Sequence, residues 1–205
     1  MKGLIRRLAY PSCMRLQKQY VPQALAKRAN SGHILATEGP LVSIVVPSYN
    51  QARYLEATLD SILSQSYTNV EVIVIDGGSK DGSVKILERY SAQLKYWESV
   101  PDDGQTHAIN KGFSHASGEI LAWLNSDDLL LPNAVARSVA CLVSNKNVDV
   151  VYGDRVIIDE ESRDIGVWRS WNAHDAVLDF ADFIPQETLF WRRSVWNKVG
   201  ASLNE

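Results

Sequence analysis

Two adjacent carboxylates, Asp127 and Asp128, close the segment Ile120-Leu121-Ala122-Trp123-Leu124-Asn125-Ser126-Asp127-Asp128. Such a pair repels itself unless a cation or water screens it. A hard divalent ion, Mn²⁺ or Mg²⁺, held by one or two carboxylates and completed by water and phosphate oxygens, fits this donor set. There it would act as a Lewis acid on a departing diphosphate. Helix capping explains one carboxylate of the pair and leaves the other without a role. Two further polar clusters also follow apolar runs: Pro47-Ser48-Tyr49-Asn50 after Val42-Ser43-Ile44-Val45-Val46, and Asp76-Gly77-Gly78-Ser79 after residues 70–75. Alone, each reads as an ordinary strand-to-helix turn, because Asn, Asp, Ser and Gly favour caps and turns. Together, at the carboxyl ends of strands in one open sheet, they make a site.

The elements that must position these clusters follow from periodicity. From Leu41 onward apolar runs alternate with amphipathic stretches, which predicts an α/β domain whose parallel strands are joined by right-handed crossovers. Strands are expected over 42–46, 70–75, 95–100, 119–124 and 148–152, the first stopped by Pro47. Helices are expected over 52–66, 81–90 and 106–115, with another opened by Pro132. A hairpin is expected to pair 155–158 with 165–168.

Residues 1–40 stand apart as a basic arm, with Lys2, Arg6, Arg7, Arg15, Lys18, Lys27 and Arg28 against the single acid Glu38. Leu4, Ile5, Leu8 and Leu16 have the spacing of a short helix. The arm reads as a solvated extension packed on the domain; the alternative is peripheral contact with an anionic membrane face through its Lys and Arg residues. Because the whole chain carries a net charge of −3, the body beyond the arm is acidic, which argues against nucleic-acid binding by the fold itself. The 205 residues, 45% hydrophobic and 22% charged, suit a single buried core. Cys13 and Cys141 match no metal or disulfide spacing and read as reduced thiols, so a cytoplasmic location is expected, with the inner membrane face as a peripheral site. No run approaches the ~20 apolar residues of a membrane span. His107, His115 and His174 lack metal-ligand spacing, and no Lys-Ser or Lys-Thr follows Gly77, Gly78 and Gly82 as a Walker loop requires.

The three motifs in this order, Val42 to Asn50, Asp76 to Ser83 and the aspartate pair, resemble family 2 glycosyltransferases of the GT-A fold over residues 41–205. The resemblance implies a three-layer, Rossmann-like domain with a mostly parallel sheet. It also implies transfer of a sugar, with inversion, from a nucleotide-diphosphate donor to a saccharide or lipid-linked acceptor in cell-surface polysaccharide synthesis. UDP is the donor nucleotide that family frequency favours. Carried over residue by residue, Pro47, Tyr49 and Asn50 border the nucleobase, with the Tyr49 ring as a stacking partner. Asp76 contacts the base, beside Gly78 and Ser79. Gln105 belongs to a segment whose Asn110 and Lys111 face the diphosphate or ribose. Asn125 and Ser126 lead into Asp127, the metal-binding carboxylate, and its acidic neighbour Asp128. Gln186, Glu187, Trp191 and Arg192 fall on the acceptor side.

Three departures accompany the resemblance. Gly77 stands where a second aspartate is common, and Asn125 takes the first place of the Asp-x-Asp motif. The general base of inverting members is expected beyond Glu205, which would leave donor binding in this chain without transfer. Glu187 is a candidate substitute, although a supporting role in the acceptor loop suits it better. Packing is the default role for the tryptophans, Trp168, Trp171 and Trp191 included. Two other classes stay open: a non-catalytic nucleotide-sugar-binding remnant, and a sugar nucleotidyltransferase, whose glycine-rich, Arg/Lys-bearing first loop is not matched by Pro47-Ser48-Tyr49-Asn50-Gln51.

Overall fold

A computed structural model describes residues 18–24, 39–170 and 184–204. In chain order the elements are β1 (Lys18–Gln23), β2 (Val42–Ser48), α1 (Ala52–Leu63), β3 (Val70–Asp76), α2 (Ser83–Tyr90), β4 (Tyr96–Ser99), α3 (Gln105–His115), β5 (Ile120–Trp123), α4 (Ala134–Ser144), β6 (Val150–Val151), β7 (Arg155–Ile158), β8 (Asp164–Trp168), β9 (Phe190–Arg192) and α5 (Arg193–Lys198). The described residues divide into two compact units, 39–151 with 189–204, and 18–24 with 152–170 and 184–188.

The larger unit is built on a six-stranded sheet in the order β4-β3-β2-β5-β9-β6. The first four strands run parallel, and β9 is antiparallel to both of its neighbours. Every residue of β2 is buried, because helices cover both faces of a central parallel strand. On one face Val42, Ile44 and Val46 join Leu55, Leu59 and Ile62 of α1 and Leu87 of α2. On the other, Val45, Ile73 and Ile75 meet Ile109 and Phe113 of α3, with Trp191 and Trp196. The sequence has the strand end at Pro47, but β2 continues to Ser48, which pairs with Asp76 of β3. The nitrogen of Pro47 faces the β5 side, and pairing with β5 ends at Val45 opposite Trp123. No ladder hydrogen bond is lost there, so proline is tolerated. Pro132 likewise lies ahead of its helix and does not open it, since Asn133 adopts a left-handed conformation (φ 66°) and α4 starts at Ala134.

The smaller unit is a three-stranded antiparallel sheet, β1-β8-β7, that contains the expected hairpin. Its third strand comes from the basic arm: Lys18 and Gln19 pair with Val167 and Gly166. Part of the arm is therefore strand, while the short helix expected from Leu4 to Leu16 lies outside the described residues, as do Cys13, Trp171 and His174. Among the described residues no helix is long and apolar enough to cross a membrane.

The amino ends of the parallel strands are fastened by Glu71. Its Oε1 accepts hydrogen bonds from Ser43 Oγ at 2.6 Å, Ser117 N at 2.5 Å and Gly118 N at 3.2 Å, and its Oε2 accepts from Ser117 Oγ at 2.7 Å. Burial alone would raise the Glu71 pKa; the bonds from Ser43, Ser117 and Gly118 outweigh it and hold the carboxyl below its ordinary range. A depressed carboxyl pKa contributes stability above the unfolded value of about 4.3, and that contribution is lost as pH falls through the folded value. Glu71→Gln is therefore expected to lower the melting temperature at pH 7. The gap from wild type should narrow between pH 7 and an acid pH low enough to protonate Glu71 in the folded state as well. A gap of equal size at both pH values would refute the ionic role.

Candidate functional site

The loops after β2 and β3 are stitched together by their own polar residues. Asn50, in a left-handed conformation (φ 52°), donates its backbone N–H to Ser79 Oγ at 2.7 Å and accepts Lys80 N–H at its Oδ1 at 2.9 Å. The Asp81 carboxylate caps two helices at once: Oδ2 accepts from Ala52 N at 2.8 Å, and Oδ1 from Ser83 N at 3.1 Å and Ser83 Oγ at 2.7 Å. Tyr49, in the first of these clasped loops, is left 64% exposed.

Asp76 lies beneath this loop pair, fully buried. Its Oδ2 accepts from Gly78 N at 3.2 Å, Ser79 N at 2.8 Å and Ser99 Oγ at 2.6 Å, and its Oδ1 accepts from Ser79 Oγ at 2.5 Å. The resemblance gives Asp76 to the nucleobase; in the structure it organises the loop that would border one. The glycines follow from the same geometry. Gly78 has φ +83°, and a Cβ on Gly77 would come within 3.0 to 3.2 Å of the Asp102 carboxyl atoms. An aspartate at 77 would set two carboxylates against each other, so Asp102 accounts for its absence.

After β5, a turn closed by Asp128 N–H on Asn125 O at 3.0 Å presents the aspartate pair. Asp127 is exposed and Ser126 is buried. Asn125 accepts Gln105 Nε2 at 2.7 Å and donates its own Nδ2 to Asp128 Oδ2 at 3.2 Å. The Asp128 carbonyl accepts Thr58 Oγ1 from α1 at 2.9 Å. Among the described residues no group of three or more His, Cys, Asp or Glu is placed to hold a metal. An exposed carboxylate, Asp127, next to Asp128 is a donor set that suits an ion taking most of its shell from water and phosphate oxygens.

Asn110 and Lys111, given to the diphosphate or ribose by the resemblance, have protein partners in the structure. Asn110 is bonded through both amide atoms to the backbone of Leu203, Nδ2 to O at 3.1 Å and Oδ1 from N at 2.7 Å. Lys111 is ion-paired with Glu98, whose other oxygen accepts Tyr96 OH at 2.9 Å, and the Glu98 hydrogen bond raises the Lys111 pKa. The residues given to the acceptor side divide between the two units. Gln186 and Glu187 lie in a short 3₁₀ turn of the smaller unit, where Glu187 is paired with Arg155 at 2.7 Å and the Arg155 guanidinium sits 5.1 Å from the Trp168 ring. Trp191 is core, edge-on to Phe113 and Trp123. Arg192 pairs with Ile120, at the end of β5 opposite the aspartates, and donates to Val148 O at 3.0 Å and Leu142 O at 2.6 Å. Ser99, Asp81, Glu98 and Asp102 were not singled out by sequence reasoning. Of these, only Asp81 carried a local signal, the capping pattern Asp-Gly-Ser.

Residues 43–199 match the family described as Glycosyl transferase family 2. The chain belongs to that family. A relative in Rickettsia typhi, an uncharacterized glycosyltransferase, is 38% identical over 130 residues, which is 63% of this chain and 41% of that protein. Another, from Nostoc, is 30% identical over 176 residues, 77% of this chain and 52% of that protein. The family 2 chain thus spans about half, or less, of these relatives' lengths. Among solved structures, the mannosyltransferase PcManGT of Pyrobaculum calidifontis, in complex with GDP-Man and Mn²⁺, superposes with a TM-score of 0.61 at 22% identity, covering 86% of this chain and 52% of its own. TarS of S. aureus, residues 1–349 with UDP-GlcNAc, gives 0.57 at 18% identity, with 80% and 48% covered. At these identities the likeness is one of fold: the chain has the GT-A architecture, α/β with a mostly parallel sheet.

Proposed function

We propose that the carboxyl edge of β2, β3 and β5 binds the nucleoside diphosphate of a sugar donor, with Mn²⁺ or Mg²⁺ at Asp127 and Asp128. The observation that carries this reading is the shared edge: two loops bonded to each other expose one aromatic ring, Tyr49, while the third presents an exposed carboxylate, Asp127, beside its neighbour. An aromatic face suits base stacking. A bound ion would neutralise charge on the departing diphosphate. Asp76 and Asn50 hold the Tyr49 loop in place, and Asp127 anchors the phosphate end. In the transfer we assign to the whole protein, an acceptor hydroxyl forms a bond to the anomeric carbon as the bond to the diphosphate oxygen breaks, and the acceptor proton passes to a carboxylate base. The configuration inverts.

UDP is proposed as the nucleotide and a saccharide or lipid-linked sugar of the cell surface as acceptor; the structural relatives named above bind GDP-Man and UDP-GlcNAc respectively. Calorimetric titration of the chain with UDP and Mn²⁺, repeated in chelator and with GDP and dTDP as competitors, tests the donor site. Binding is expected to be tightened by the metal and, with the metal present, to weaken at least about tenfold in Asp127→Ala, whose exposed side chain is not required for folding. A folded wild-type chain that binds none of the three nucleotides would sink the assignment.

A further inference from the structure

We propose that Gln105 is a positioning residue that aims the Asp128 carboxylate through Asn125; the inference rests on the donor-site reading above. Gln105 is the first residue of α3 and Asn125 follows β5, so the contact joins a helix start to a loop 20 residues away in sequence. A carboxamide has a donating and an accepting end, and its partners decide which way it turns. Gln105 Nε2 donates to Asn125 Oδ1 at 2.7 Å, which leaves the Asn125 Nδ2 end toward Asp128 Oδ2 at 3.2 Å. Turned over, Asn125 would present its oxygen to a carboxylate and repel it.

Asp128 is held through its carbonyl by Thr58 at 2.9 Å and through its carboxylate by the amide relay, besides the N–H bond that closes the turn. The relay also gives a reason for the amide at position 125. An aspartate there would accept from Gln105 equally well, yet it could not donate to Asp128, and it would add a third carboxylate within four residues. Partners that orient a metal-binding carboxylate typically change metal affinity by about 10- to 100-fold.

The test uses the 205-residue chain, following Mn²⁺ binding at saturating UDP by electron paramagnetic resonance, with UDP binding in chelator as the companion measurement. Gln105 is exposed, so its variants should melt like wild type. Gln105→Ala removes the donor and is expected to weaken Mn²⁺ about tenfold. Gln105→Glu keeps the shape but turns a donor into an acceptor, which draws Asn125 Nδ2 away from Asp128; its loss should exceed that of alanine. UDP binding in chelator should be the same in all three proteins. Wild-type Mn²⁺ affinity in both variants overturns the relay alone, and equal losses overturn its orienting role. Loss of UDP binding in chelator would instead mean that Gln105 contacts nucleotide directly, or that the added charge repels it, and the relay fails. If folded wild type binds none of UDP, GDP and dTDP, the donor-site reading fails and takes the relay with it.

Discussion

Asp76→Ala is expected to lower the stability of the fold by about 4 kcal/mol, because four donors that now meet a buried carboxylate would be left without it. Gly78 N, Ser79 N, Ser79 Oγ and Ser99 Oγ all point at that group, and its residue is fully buried, so water cannot readily take its place. For a domain of this size the loss corresponds to a fall of about 8 to 16 °C in Tm. Asp76→Asn keeps the volume and one accepting oxygen; with the amide nitrogen turned to Ser79 Oγ it retains three acceptances and loses one, so its loss should be about half as large. Thermal melts of the three proteins check the ordering. An Asp76→Ala chain that melts like wild type yet no longer binds nucleotide would show that Asp76 is a direct ligand and not the organiser of its loop.

Gly118→Ala should cost about 3 kcal/mol, near the upper end for overpacking. A Cβ at this position would sit 2.6 Å from Ser43 Oγ, 2.7 Å from Leu41 O and 2.7 Å from Ser43 N. Two of these are main-chain atoms, Ser43 N in β2, locked between β3 and β5, and Leu41 O just ahead of it, and neither can step aside as a flexible side chain would. The same shift would pull Gly118 N–H from Ser43 Oγ, 2.7 Å away, and loosen the Glu71 clasp. Gly153→Ala serves as the control, since its Cβ would meet nothing within 4 Å. Chemical denaturation should separate the two variants clearly; equal midpoints would refute the close-approach argument.

Much of this protein is legible in one dimension. The runs Ile44 to Val46 and Val72 to Ile75 are apolar without alternation because both faces of their strands are covered, so composition reports burial directly. Helical spacing in 52–63 and 105–115 reports one buried face each, and the polar clusters that follow the strands mark where a parallel sheet presents its loops. Fold class, the family and the edge proposed to carry the site follow from these local patterns. What each polar side chain does at that edge was decided only in three dimensions. Asn110 is bonded to Leu203 across 93 residues, Asp76 to Ser99 across 23 and Gln105 to Asn125 across 20. The pairing of β1 with β8 and the insertion of β9 beside β5 are likewise contacts between distant segments. Periodicity records which face of an element avoids water, and capping records its neighbours within a few residues. A hydrogen bond between distant loops depends on strand register and on how each loop closes, and neither leaves a repeat in the sequence.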